Sequence, residues 1–295
     1  MEHIQERLCP ACKATASTDL MTVKDHFLSK EDFSLLKCSN CQLVYTHPKP
    51  SESKIDDYYK SQEYISHSSI KRGIINSLYT IVRNYTLKKK VKMVRSLVSG
   101  RQLLDIGAGT GHFVKCAQDS GFFVLGLEPD ADARKVAEQQ NSIQLELLEQ
   151  LHALKAESYD VVTMWHVLEH VYNLKTDLKK IISLIRKDGV LIIAVPNHTS
   201  FDAGYYKEFW AAYDVPRHLY HFSPETIKPF VEQFGLQLEK QLPMKFDAYY
   251  VAMLSEKYRG GSIMNALRIG FLSNLRAGRN RSSSQVYIFR KKQAF

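Results

Sequence analysis

The stretch QLLDIGAGTGHF, residues 102–113, constrains the fold more than any other part of the chain. An apolar run of strand character reaches a carboxylate, Asp105, and passes into glycines at alternate positions, Gly107, Gly109 and Gly111, before a helical pattern begins. Such a strand-to-helix bend opens a βαβ unit. The alternation then continues: FFVLGLEP reads as a strand, DADARKVAEQQN as a helix capped by Asp130, and IQLELL and YDVVTMWHV as strands. LKTDLKKIISLIRKDG is an amphipathic helix, GVLIIAVP a strand, and LQLEKQLPMKF and SSSQVYIFRKK an antiparallel pair at the edge. Strands taking turns with helices over short connections predict an α/β, Rossmann-like sheet of seven strands, mostly parallel with the last antiparallel, covered on both faces. Ligands of such sheets bind beyond the carboxyl ends of the central strands, where the glycine bend lies.

A bend without side chains lets a ligand touch the backbone. Dinucleotides use a G-x-G-x-x-G version of it. Here the glycines fall at G-x-G-x-G with His112 just after the last, and Asp105 stands on the strand before them. A pyrophosphate would be repelled by that carboxylate, whereas a ligand bearing an ammonium group would be held by it. Glu128 ends the next strand, 23 residues beyond Asp105, where a carboxylate can accept two hydrogen bonds from a ribose diol.

Taken in order, LLDIGAGTGHF, GLEP, YDVVTMWHVLEHV and GVLIIAVPN resemble the motif series of class I S-adenosylmethionine-dependent methyltransferases. They are most similar to the subgroup related to ubiquinone-biosynthesis O-methyltransferases, over roughly residues 99–240. The resemblance implies S-adenosyl-L-methionine as cofactor. Asp105 and the backbone of Gly107, Ala108, Gly109, Thr110 and Gly111 would hold its methionine part, and Glu128, with Pro129 beside it, the ribose. Leu148 and Glu149 would lie near the adenine, and Trp165 and His166 would line the sulfonium.

Four of the five cysteines form two knuckles, Cys9-x-x-Cys12 and Cys38-x-x-Cys41, within the first 41 residues. Paired CxxC turns supply four soft ligands for a closed tetrahedral zinc, structural rather than catalytic because no position stays open. A redox dithiol is the competing reading of a single CxxC. Residues 1–50 are therefore expected to form a zinc ribbon, similar to the front module of some bacterial methyltransferases, including sugar C-methyltransferases whose long carboxyl-terminal domain is missing here. Residues 51–98 read as a helical linker or lid, and residues 99–295 as the catalytic domain.

An insertion, residues 198–222, follows the strand GVLIIAVP and includes WAAYDVPRHLYHF. Its length and aromatic content suit a cover for an acceptor pocket at the carboxyl edge of the sheet. Trp210, Asp214, Arg217 and His221, with Tyr64 of the lid, are the candidate acceptor contacts, and His170 and His218 the candidate bases for an oxygen acceptor. The plainer alternative is that Arg217 pairs with Asp214 and the rings fill a secondary core. HVLEHV sets His166 four residues before His170, which is also zinc-binding spacing on a helical turn. In some ubiquinone-type enzymes the Glu169–His170 pair is associated with a divalent metal; it can equally brace the next helix.

No apolar run approaches the ~20 residues that cross a bilayer, and the start MEHIQERLCP lacks the apolar core of a signal peptide, so a cytoplasmic protein is expected. The +9 formal charge favours anionic partners. The leading expectation is methyl transfer to oxygen or carbon of a small metabolite such as a sugar, quinone or lipid precursor. Ribosomal-RNA methylation, with nucleic acid as partner, is the second, and a non-catalytic cofactor-binding module the third. The basic helix in SIMNALRIGFLSNLRAG reads as packing beside the active site, against a second subunit, or on an anionic membrane surface.

Overall fold

The computed structural model describes residues 3–4, 7–59, 74–278 and 280–291; Tyr64 lies outside them. Along the chain the strands are β1 His3–Ile4, β2 Ser17–Lys24, β3 Asp32–Cys38, β4 Val44–His47, β5 Lys49–Pro50, β6 Gln102–Ile106, β7 Phe123–Leu127, β8 Tyr159–Trp165, β9 Ile185–Pro196, β10 Tyr220–His221, β11 Leu236–Pro243 and β12 Ser284–Lys291. The α-helices are α1 Ile74–Leu97, α2 His112–Asp119, α3 Ala131–Asn141, α4 Leu174–Ser183, α5 Phe201–Tyr206, α6 Pro224–Glu232, α7 Asp247–Arg259 and α8 Ile263–Arg276. Two compact units result: a first of Met1–Tyr59, His166–Asp177 and Ile193–Ile288, and a second of Lys60–Trp165, Leu178–Ile192 and Phe289–Phe295.

The large sheet has the order β11-β12-β9-β8-β6-β7, mostly parallel with antiparallel strands at one end, and β9 and β12 run through both units. Within the second unit β6 lies between β7 and β8, parallel to both, with Asp105 level with Gly126 on one side and Thr163 on the other. The expected strand IQLELL is reduced to a single bridge between Leu127 and Glu146. Ile143 and Leu145 turn inward onto Val114 and Ala137, and the chain then tightens into a 3-10 helix at Leu148–His152, which ends the pairing. The sheet therefore has six strands among the described residues instead of seven. Helix α4 is also shorter than its pattern suggests: it stops at Ser183, and fully buried Leu184 and Ile185 lead straight into β9.

In the first unit the strands next to the cysteines build a sheet of order β10-β4-β3-β2. Its end strand, β10, is supplied by the insertion, with Tyr220 opposite Tyr45 and His221 opposite Val44. A four-strand ribbon of this size buries too little to stand easily alone. Here Phe33, Leu35 and Val44 share one core with Trp210 and Tyr213 of the insertion and Ile269 of α8. Buried Asp202 ties the insertion down further, accepting from Trp210 Nε1 at 2.8 Å and from the Ser273 and Ser283 hydroxyls, each at 2.6 Å. Helices α7 and α8 approach closely at Gly270, where a Cβ would come within 2.6 Å of the Tyr249 ring.

Candidate active site

The glycine bend belongs to the second unit. Asp105 is 2% exposed, and Thr163 Oγ1 donates to its Oδ1 at 2.6 Å. Burial raises the acid to about 7, against the smaller opposing pulls of the Thr163 hydroxyl and the Lys90 charge. Gly109 has φ +55, and a Cβ there would meet nothing within 4 Å, so the backbone is open to a ligand at that residue. Gly111, at φ +76, serves packing instead, since a Cβ would lie 3.1 Å from that of Ala137. Glu128 closes β7 with Oε2 accepting from the Gly109 N–H at 2.6 Å and Oε1 from the Asp130 N–H at 3.0 Å. Burial raises its pKa and those two bonds draw it down. Each oxygen has a further lone pair available to a hydroxyl donor.

The donors of this loop point inward. The N–H groups of Gly107 and Ala108 go to Leu127 O at 2.8 and 3.0 Å, that of Gly111 goes to Ala108 O at 3.0 Å, and that of Gly109 is held by Glu128. A phosphate-binding loop needs those groups turned toward its ligand. Thr110 O accepts from the Asn141 side chain at 2.7 Å. Pro129 and Glu149 are exposed, and Leu148 is half-buried at the start of its 3-10 helix. Trp165 ends β8 edge-on to Phe113, with Lys90 Nζ 4.0 Å from its ring, and its buried Nε1 has no hydrogen-bond partner among the described residues.

A second group of candidate residues lies in the first unit. His166 adopts φ +58, a left-handed backbone that only a surrounding structure sustains in a histidine. It therefore does not begin a helical turn with His170, which zinc-binding spacing of the two would need. Instead His166 Nδ1 meets Glu169 Oε1 at 3.3 Å and Nε2 meets Asp247 Oδ2 at 3.0 Å. Burial acts to lower the His166 pKa, but those two carboxylates outweigh it and raise it to about 9.

Glu169 is 0% exposed, and its Oε2 has no hydrogen-bond partner among the described residues. His170 Nδ1 lies 3.1 Å from Arg217 O and 2.9 Å from the Tyr59 hydroxyl. Because a carbonyl only accepts, Nδ1 carries the proton and Nε2 the lone pair. His218 Nδ1 likewise donates to Ala212 O at 2.8 Å, and its Nε2 lies 4.0 Å from Asp214 Oδ2. Burial, helped by the nearby His218, lowers the His170 pKa to about 4. Glu169, His170 and His218 each present a ligand atom, all within 4.8 Å of one another.

Arg217, 2% exposed, sits inside the protein: Nη2 reaches Asp25 Oδ1 at 3.0 Å and Asp214 Oδ1 at 2.7 Å, Nε reaches Asp214 Oδ2 at 3.0 Å, and Nη1 reaches Tyr58 O at 3.1 Å. Four of its five N–H groups are thereby used internally. Trp210 and His221 are buried too, His221 with Nε2 3.0 Å from Thr46 Oγ1. Asp25 carries no local sign of this role. Its carboxylate gathers the N–H groups of Phe27, Leu28 and Ser29, an ordinary turn motif, and meets Arg217 across 192 residues of sequence. Thr163 was findable, because matching two parallel strands places it level with Asp105.

The four amino-terminal cysteines converge, with Sγ–Sγ separations of 3.5 Å for Cys9–Cys41 and for Cys12–Cys38 and all four sulfurs within 4.8 Å. Both knuckles fold alike: the residue after the second cysteine, Lys13 or Gln42, is left-handed, and its N–H returns to the first cysteine's carbonyl. Tetrahedral zinc with ~2.3 Å bonds to sulfur needs edges of that size, so the donor set fits a structural zinc. Burial pushes the Cys9 and Cys41 thiols up, Cys41 to about 11, a cost that a bound cation removes.

A family profile described as a methyltransferase domain matches residues 80–241. The chain belongs to that family. Among curated relatives of this methyltransferase-domain chain, the ubiquinone biosynthesis O-methyltransferase of Rickettsia bellii is 26% identical over 60% of this chain and 80% of its own. The mitochondrial protein of that name from Bos taurus is 26% identical over 52% of this chain and 45% of its own. The chain spans about half the length of the first curated relatives it matches. Magnesium protoporphyrin IX methyltransferase from Synechocystis PCC 6803 with bound SAH shares the fold at a TM-score of 0.55 and 14% identity, covering 82% of this chain and 100% of its own. A putative sarcosine dimethylglycine methyltransferase from Galdieria sulphuraria does so at 0.51 and 15%, covering 82% and 99%.

Proposed function

We propose that the chain transfers a methyl group from S-adenosylmethionine to a hydroxyl oxygen of a small metabolite, with a quinone precursor as the acceptor class. The observation that carries the cofactor reading is the inward direction of the loop donors, combined with the buried acid Asp105. A dinucleotide pyrophosphate would find few free N–H groups and a repelling carboxylate, whereas an amino-acid ammonium group finds its counter-charge. Glu128 suits the ribose diol, and the orphaned Trp165 N–H suits an acceptor on the ligand, because a buried donor without a partner is costly. Gly107, Ala108, Gly109, Thr110 and Gly111 line the methionine part, and Pro129, Leu148 and Glu149 the nucleoside.

The acceptor class rests on the curated relatives, which are named for O-methylation in ubiquinone biosynthesis. Methyl transfer is an in-line displacement at carbon, so much of the acceleration comes from alignment. An oxygen nucleophile must also lose its proton, and the lone pair on His170 Nε2 supplies a base, with His218 beside it. A divalent cation on Glu169, His170 and His218 is a second reading, favoured by the partnerless Glu169 Oε2; when bound it would lower the pKa of an acceptor hydroxyl. Arg217 and Trp210 hold the first unit together in this account rather than touch the acceptor. Calorimetric titration with S-adenosylmethionine, S-adenosylhomocysteine and NADH tests the cofactor assignment: the first two are expected to bind one per chain, and a preference for NADH would remove it. Transfer of labelled methyl to a catechol carrying a polyprenyl tail, lost in His170→Ala with cofactor affinity retained, tests the acceptor assignment; methyl transfer to RNA instead would refute it.

A further inference from the structure

Helix α8 is inside out. Its buried residues include Ala266, Gly270 and Ser273, all small, with Ile269 the largest. Of its seven large apolar side chains, Ile269 and half-buried Leu272 face the core, while Ile263, Met264, Leu267, Phe271 and Leu275 are 46% to 73% exposed. Ile263, Leu267, Phe271 and Leu275 are spaced by four and so form one row along the helix. A surface helix ordinarily turns such a row to the core, and a row left in water marks an interaction surface.

The sequence that carries this helix is basic. Nine of the chain's 40 basic residues and none of its 31 acidic ones follow Glu256, so residues 1–256 balance and the whole excess of +9 lies in the last 39 residues. On α8 itself Arg268 and Arg276 are exposed and no acid occurs. Arg276 lies over the Phe201 ring at 4.5 Å and, with Arg281, Ser200 and Tyr205, lines a cleft of about 420 Å³.

The occupant of this face must be apolar at the centre and anionic at the rim. A second copy of the face would bring arginine against arginine without an acid to answer it. A nucleic acid would satisfy the arginines but leave the aliphatic row in water. No helix among the described residues is long and apolar enough to cross a membrane. We propose that α8 lies flat on an anionic membrane surface. The row from Ile263 to Leu275 sinks among the acyl chains, and Arg268, Arg276 and Arg281 meet the phosphate headgroups. This docking does not depend on the methyl-transfer reading.

Flotation of the full chain with phosphatidylcholine vesicles, with and without phosphatidylglycerol, is the test. Partitioning at least about tenfold stronger on the anionic vesicles, weakening as salt rises, is expected. The double variant Leu267→Glu/Phe271→Glu, at exposed positions that should leave the melting curve unchanged, is expected to lose at least about tenfold of that binding. Arg268→Glu is expected to lose several-fold. Failure to bind either vesicle, equal binding to both, or unaltered binding by the double variant would overturn the proposal. So would a wild-type dimer dissolved by the same two substitutions, which would make the face a subunit interface, or an RNA complex lost with them.

Discussion

Asp105 and Asp25 are both almost completely buried, 2% and 1% exposed, yet they resolve the same electrostatic problem in opposite ways. Asp25 is surrounded by donors from its own turn and by the Arg217 guanidinium, which together outweigh burial and hold its pKa below the usual carboxylate value. Asp105 has a hydroxyl for company, and burial carries it up to about 7. A buried acid whose cation outweighs burial is structure; a buried acid that stays raised against the weaker pull of Lys90 is prepared for a ligand that brings a further cation. The same contrast separates the two groups of candidate residues. Around the glycine bend there is unused capacity at Asp105, Glu128 and Trp165, while Asp214 and Trp210 are bonded within the insertion, to Arg217 and Asp202, and Arg217 reaches on to Asp25 and Tyr58 of the first unit.

The largest effect should come from the metal. Metal analysis is expected to find one zinc per chain, and chelation to cost the first unit several kcal/mol or more, since sites of this kind bind with ~10 kcal/mol or more. Because Thr46 on β4 holds the His218 carbonyl, the environment of His218 should change on chelation, visible in its ring resonances. S-adenosylmethionine affinity should hold within about threefold, as expected of sites without shared partners. Next comes Arg217→Met, which leaves Asp25 and Asp214 buried without their cation and should destabilise by about 3–5 kcal/mol in urea unfolding. A loss under about 1 kcal/mol would return Arg217 to the list of acceptor contacts. Glu128→Ala should weaken S-adenosylmethionine binding at least tenfold, about 1.4 kcal/mol, with the fold kept by circular dichroism.

The smallest effect is a pH dependence. Asp105 is mostly protonated below about 7, and only its carboxylate attracts an ammonium group. Cofactor affinity should therefore rise by roughly tenfold between about pH 6 and 8 and become flat in Asp105→Asn. For stability the signs differ. The raised Asp105 pKa contributes below the ordinary carboxylate range, and that contribution is lost as pH rises through about 7. The lowered Asp25 pKa contributes above the ordinary range and is lost as pH falls through its depressed value.

Features set by near neighbours in sequence were readable before the structure. The Asp130 cap is one, its side chain accepting from the Ala133 N–H at 2.8 Å, and the Ser223–Pro224 start of α6 is another. The cysteine spacing likewise indicated which sulfurs would meet. What escaped was set at a distance. Nothing in LYHF states that two of its residues complete the sheet begun by β2, and nothing in the Asp25 turn announces Arg217. Aromatic residues at 210–222 suit a pocket wall and a core equally well, because both exclude water. The His166–His170 spacing misled because periodicity assumes helical backbone, and His166 is left-handed.

The most direct test is the Asp105 carboxyl carbon followed by ¹³C NMR through a pH titration, in the free chain and saturated with S-adenosylhomocysteine, whose amino group carries the same charge. The account predicts a midpoint near about 7 in the free chain and a fall of at least about one unit on binding. An ordinary carboxylate midpoint in the free chain, or a raised one that the ligand leaves in place, would contradict it.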